Sequence, residues 1–257
     1  MRCLPFSVVF LALGCSVFPE TAPVVGADTG GAAGVGGTAG FGGTVNTGGA
    51  GGSGNSGGSS GAATGGAGGA AGCPAKNLTL SASRDTYIVS SPPKSTHGSE
   101  DFILIRTGSS SGNSRGLVGF DFDAVPNSAS VSQATLEFRV TLNEGAVFEL
   151  GAYRVKRHWN ESASWDRYDS NSDWSQGGGD YEAVSAQTAV DKSTGVVSLD
   201  LTGDVTKVLD GSFQNEGWLL KPVSASGLSG ERLELGSRER GSPDERPKLR
   251  LTYTDCN

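Results

Sequence analysis

Aromatic rings, carboxylates and cations are the side chains that could do chemistry here, and they are unevenly placed. Between residues 159 and 181 stand Trp159, Trp165, Tyr168, Trp174 and Tyr181, with no strand alternation beneath them. That pattern predicts a long excursion laid over a sheet. Its rings either form a small core of their own or offer flat apolar faces to a ligand. Tyr168 sits in the most polar part and is the ring expected to be exposed. The same stretch carries Asp166, Asp169, Asp173 and Asp180. Calcium takes about six to eight oxygens from flexible loops, so these four are the candidate metal ligands and a structural calcium the candidate cofactor. Asp-Ser-Asn-Ser-Asp is equally ordinary turn chemistry.

Strand alternation groups the cations. With Val155 inward, Arg154, Lys156 and His158 share one outward face, and with Leu249 and Leu251 inward, Lys248 and Arg250 share another. If the two strands are neighbours, the five make a basic stripe suited to carboxylates, which arginine grips bidentately. Cross-strand glutamates would instead neutralise them. Catalytic chemistry is less well provided for. His97 and His158, the two histidines, adjoin no Ser or Cys nucleophile motif and lack metal-ligand spacing. Gly177-Gly178-Gly179 is followed by Asp180, with neither the lysine nor the helix of a phosphate loop. Acid–base pairs of carboxylates stay open, so the reading leans away from an enzyme without closing that route.

The elements that must position these groups are strands. Leu136–Leu142, Val197–Leu201 and Leu249–Tyr253 alternate apolar and polar residues without a break. Phe102–Ile105, Leu117–Phe122, Tyr153–Val155 and Trp218–Lys221 are further strand candidates, with Ser/Gly/Asn/Pro between them. Helical spacing shows only at Asp204–Leu209, with Thr202 as its cap. Many strands and one helical turn predict an all-β fold, an antiparallel β-sandwich of jelly-roll type.

Ahead of it the composition changes. Residues 1–14 read as an export signal: Arg2, an apolar run from Leu4 to Leu13, then Gly14 before Cys15. The ending Leu11-Ala12-Leu13-Gly14-Cys15 resembles a bacterial lipoprotein signal and makes Cys15 the lipidation site; an ordinary secretory signal cut further on is the alternative. Residues 15–72 form a linker: 22 of the 41 glycines lie between Gly26 and Gly72. So few large side chains cannot offset ordering entropy, which predicts a disordered, flexible tether spanning roughly 40 Å. Residues 73–257 are then the folded domain. Once Cys3 leaves with the signal and Cys15 takes lipid, Cys73 and Cys256 remain, and an oxidising compartment favours pairing them. The formal net charge is −7. An acidic chain without a basic tail is a poor nucleic acid partner.

The order of short motifs through the domain resembles the disaggregatase-related (DNRLRE) domain family. Asp85-Thr86-Tyr87-Ile88, Gly98 and Arg115-Gly116-Leu117-Val118-Gly119-Phe120-Asp121 come first. Ala134-Thr135-Leu136, Trp159-Asn160-Glu161-Ser162-Ala163-Ser164-Trp165, Trp174 and Gly178-Gly179-Asp180-Tyr181 follow. Leu199-Asp200-Leu201-Thr202, Gly217-Trp218-Leu219-Leu220, Ser237-Arg238-Glu239 and Arg246-Pro247-Lys248-Leu249 close the series. Ser164 stands where the family more often has threonine, and Leu235-Gly236 where an aromatic is common.

The resemblance implies a carbohydrate-binding-module-like sandwich that accompanies polysaccharide-active proteins and, in some members, binds acidic polysaccharide such as alginate. The expectation is therefore a monomeric, non-catalytic, polysaccharide-binding lipoprotein of the outer membrane or cell surface, otherwise secreted, touching membrane through its lipid alone. Arg154, Lys156, His158, Tyr168, Lys248 and Arg250 are its candidate ligand-binding residues. A matrix or envelope protein using the sandwich for protein contacts is the alternative, and a polysaccharide lyase the third reading.

Overall fold

The computed structural model describes residues 72–256. The expected signal, linker and lipidation site Cys15 lie outside them. Eleven strands follow in chain order. These are β1 (Ala75–Ser81), β2 (Arg84–Val89), β3 (Phe102–Ser109), β4 (Gly112–Gly119), β5 (Ser130–Glu144) and β6 (Phe148–Val155). After them come β7 (Tyr181–Val190), β8 (Val196–Asp200), β9 (Trp218–Pro222), β10 (Arg232–Gly236) and β11 (Lys248–Thr254). One helix, α1 (Thr202–Leu209), lies between β8 and β9. Every strand pairing is antiparallel, in the order β1-β11-β5-β10-β3-β4-β9-β6-β7, with β8 also on β5 and β2 also on β4. Among the described residues no helix is long and apolar enough to cross a membrane.

The sheet curls into two layers because β5 is long enough to serve both. Residues 130–139 of β5 pair with β11 and β8, while Val140–Asn143 pair with β10. Alternation decides what faces inward. Leu80, Leu249, Leu136 and Leu199 stand side by side across β1, β11, β5 and β8, and all are buried in the main core. Val89, Leu150, Ala152, Val118 and Leu220 meet them from the other layer. This is the predicted antiparallel sandwich.

Thr202 does not cap α1. It is the first helical residue, no side-chain cap is made, and its hydroxyl donates to Asp200 Oδ1 at 2.6 Å. The Ala134 N–H donates to the same hydroxyl, fastening the helix start to β5.

Cys73 and Cys256 are joined, with Cα atoms 5.4 Å apart and 183 residues of separation. Ala75 pairs with Thr254 just inside the bridge, and Lys76 Nζ lies 3.1 Å from Asp255 Oδ2. Such a crosslink acts chiefly by restricting the unfolded chain. Replacing both cysteines by serine is expected to cost up to about 5 kcal/mol, read as a lower urea midpoint that reductant no longer moves.

Candidate functional site

The layer containing β2, β4, β9 and β6 is buried on both faces. Its outer face carries Ile88, Leu117, Leu219, Tyr153 and Val155, and these form a second apolar cluster with Trp159, Ala163 and Trp174 of the segment between β6 and β7. That segment is the excursion the aromatic spacing predicts. Trp159 is fully buried and donates through Nε1 to the Glu216 carbonyl at 2.7 Å. The Arg84 guanidinium lies 4.9 Å above its ring. Trp174 donates to the Ser164 carbonyl at 2.9 Å, which closes the excursion on itself. The backbone of Asn160 bonds Tyr168, and that of Trp174 bonds Asp166. Two tryptophans are thus a private core, and the excursion is a fixed wall.

Where the wall stops, a groove of about 630 Å³ opens between it and the exposed part of the sheet, with Arg115, Lys156, Arg157, Gln176, Asp180 and Tyr181 among its lining residues. Arg115, on β4, is its centre. Its guanidinium lies 4.6 Å from the Trp165 ring and 5.6 Å from Tyr181, and Nη1 donates to the Gly178 carbonyl at 2.6 Å. Burial pulls its pKa below the usual arginine range, and a guanidinium stays charged in proteins. Gly178 has φ +92°, and a Cβ there would lie 2.5 Å from Arg115 Nη1 and 2.8 Å from the Trp165 ring. Only glycine allows this approach.

Lys221, on β9, stands near Tyr181 of the groove. Its Nζ stands 4.0 Å from the Tyr153 ring centre and 5.4 Å from that of Tyr181. Burial, and then the charge of Arg115, hold its ammonium below the ordinary lysine range. Cations over ring faces are attracted by the ring quadrupole, but that is a partial substitute for an anion. Among the described residues neither Arg115 nor Lys221 has an ion-pair partner. Arg157 differs: Nε donates to Asp180 Oδ2 at 2.8 Å. Burial pushes the Asp180 carboxyl upward, yet bonds from the Ser175 backbone and side chain, Arg157 and the Gln176 backbone hold it below the usual carboxylate range.

The predicted basic stripe is not formed. β6 lies between β9 and β7, and β11 between β1 and β5 on the other layer, so Arg154, Lys156 and His158 do not adjoin Lys248 and Arg250. The assumed facing is also reversed, because β6 is buried on both faces and Val155 lies under the excursion, not in the main core. Arg154 rests 3.7 Å from the Phe213 ring centre and 3.7 Å from Glu182. Lys156 is 3.6 Å from the same carboxylate and reaches the groove. His158, past the strand end, has a side chain 74% exposed and lies 3.1 Å from Glu216. Lys248 pairs with Asp244 at 3.1 Å, and Arg250 with Glu137 at 2.6 Å.

Tyr168 is half-buried, packed edge-on to Trp174 at 5.6 Å; the ring that lines the groove is Tyr181, with Trp165 against Arg115. The four candidate metal ligands do not converge. Asp169 receives the N–H groups of Asn171 and Ser172, Asp173 pairs with Arg167, and Asp180 binds Arg157. Asp166 contributes backbone bonds to Pro93 and Trp174. Among the described residues no three His, Cys, Asp or Glu side chains gather to hold a metal ion.

Arg115 and Lys221 were missed as site residues. Their signal was present: Arg115 shares a strand face with Leu117, and Lys221 with Leu219, and both leucines are buried on the excursion side. What the chain alone did not give was the adjacency of β4 and β9. Compared with known proteins, the chain matches no curated protein, whereas residues 76–253 match the sequence model of carbohydrate-binding module family 96.

Proposed function

Because the chain belongs to carbohydrate-binding module family 96, we propose that its basic groove holds an acidic, uronate-bearing polysaccharide and performs no bond-breaking. One observation carries the choice of an acidic ligand: among the described residues Arg115, in the groove, and Lys221, near its Tyr181, lie over aromatic rings with no carboxylate ion-paired to them. A sugar carboxylate supplies the missing charge, and the half-buried faces of Trp165 and Tyr181 suit the apolar side of a pyranose ring. Lys156, in the same groove, adds a third cation at its rim. The closed disulfide fits an exported protein.

The test is migration of the full chain in native gels containing alginate, a neutral glucan, or neither. Retardation in alginate alone is expected, falling as salt screens the contact, with no new reducing or unsaturated ends after long incubation. Arg250→Ala, on the other layer and tied to Glu137, is expected to migrate as wild type. Equal retardation in both polymers would remove the acidic preference, and new chain ends would make the protein an enzyme.

A further inference from the structure

Three motifs far apart in the chain meet at one buried point away from the groove. Asp85 of β2 is 1% exposed, and its Oδ2 accepts the Arg238 backbone N–H at 2.8 Å. The Arg238 guanidinium, in the loop after β10, donates to the Ser83 carbonyl at 2.6 Å and to Glu239 Oε1 at 2.7 Å. It also lies 3.1 Å from Glu161 Oε1 of the excursion. Gly98 sits so close to Glu161 that a Cβ would lie 2.4 Å from its carbonyl oxygen. Two carboxylates therefore contact the Arg238 guanidinium, and a third, Asp85, holds the backbone N–H of the same residue. Glu239 Oε2 is buried with no donor to satisfy it, in a carboxyl held by the same arginine whose backbone N–H holds Asp85.

Other charges nearby do not relieve the crowding. Arg84, next along β2, is turned to the Trp159 ring and to Glu216 at 3.5 Å. Arg246 donates to the Arg240 carbonyl. β4 places Val118 opposite Asp85 and brings no charge. A fully buried carboxylate beside a half-buried one cannot ionise cheaply along with it, and a shared proton is the usual resolution.

We propose that a proton shared between Asp85 and Glu239 fastens β2, the loop after β10 and Glu161 of the excursion together, so that the wall of the basic groove is held most firmly at acidic pH and loosens as pH rises. As a regulator of glycan binding this rests on the function proposed above; the shared proton does not.

Burial, and against it the Arg238 backbone bond, then the charge and hydrogen bond of Glu239 and the charge of Glu161, leave Asp85 pushed up to about 8. In the unfastened chain an aspartate ionises near about 4. Between those values the open form sheds a proton that the closed form keeps. Closure is thus strongest below about pH 4, weakens by up to about tenfold per pH unit above it, and levels off beyond about pH 8.

The test compares the full chain with Asp85→Asn, following urea unfolding and tryptophan emission from about pH 5 to about pH 9. The wild-type midpoint should fall toward alkaline pH relative to the variant, whose profile should lack that component. Identical slopes would overturn the proposal. Should the variant fail to fold, carbon NMR of the wild-type Asp85 carboxyl decides: an alkaline inflection supports the shared proton, and ionisation in the ordinary aspartate range overturns it. Retention on immobilised alginate, run in parallel, should follow the unfolding midpoints. If the midpoints respond as expected and alginate is never retained, the fastener stands and the glycan assignment falls.

Discussion

Trp159→Ala is expected to destabilise the domain by about 3–5 kcal/mol, the range for emptying a fully buried aromatic site. Trp159 has no exposed surface and is the most deeply buried tryptophan that the excursion places on the outer face of the sheet. Its loss leaves a cavity over Ile88, Leu117 and Leu219, an unpaired Glu216 carbonyl and an Arg84 guanidinium without its ring. Trp159→Phe keeps much of the apolar contact and loses the hydrogen bond, so a smaller cost of about 1–3 kcal/mol is expected. Neighbouring His158, with its side chain mostly in solvent, should change stability by no more than about 0.5 kcal/mol when replaced by alanine. Urea denaturation of the three variants checks the order. A Trp159→Ala midpoint close to wild type would mean that the excursion is not pinned there.

Arg115→Ala should weaken alginate binding by about tenfold to a hundredfold, the equivalent of one charge-assisted hydrogen bond to a carboxylate at about 1.5–3 kcal/mol. The same change unseats the groove, because Arg115 joins Gly178, Trp165 and Tyr181 through one planar group. Arg115→Lys keeps the charge but neither the stacked plane nor the fork, and is expected to restore little. Circular dichroism should show an intact sandwich in both, since Arg115 lies outside the main core. Wild-type retention of a folded Arg115→Ala protein would move the ligand elsewhere.

The sandwich was legible where one strand face is buried and the other wet. β5, β8 and β11 alternate cleanly for that reason, and their inward leucines are in the core. β2 gave no alternation because five of its six residues are buried, between the core on one side and the excursion on the other. β7 was illegible for the opposite reason. It closes the strand order at an edge, and most of its Ala, Ser and Thr positions are exposed. The cysteine pairing followed from simple elimination, because geometry had only to allow it. The basic site did not. Grouping Arg154 with Lys156 and His158 assumed that Val155 faces the main core, but β6 is covered on both faces and Val155 lies under the excursion. On a strand covered from both sides an apolar residue does not say which face is the core, so the cluster was misassigned while the fold reading stayed intact.

β1 stands at the other edge of the strand order, held by β11 alone. Edge strands are the first to peel when a chain is pulled from its end. A tug arriving along the residues ahead of Cys73 meets the covalent link to Cys256 before it meets any β1 hydrogen bond, and so passes at once into β11, which β5 braces from its far side. Tension is spread over three strands instead of unzipping one.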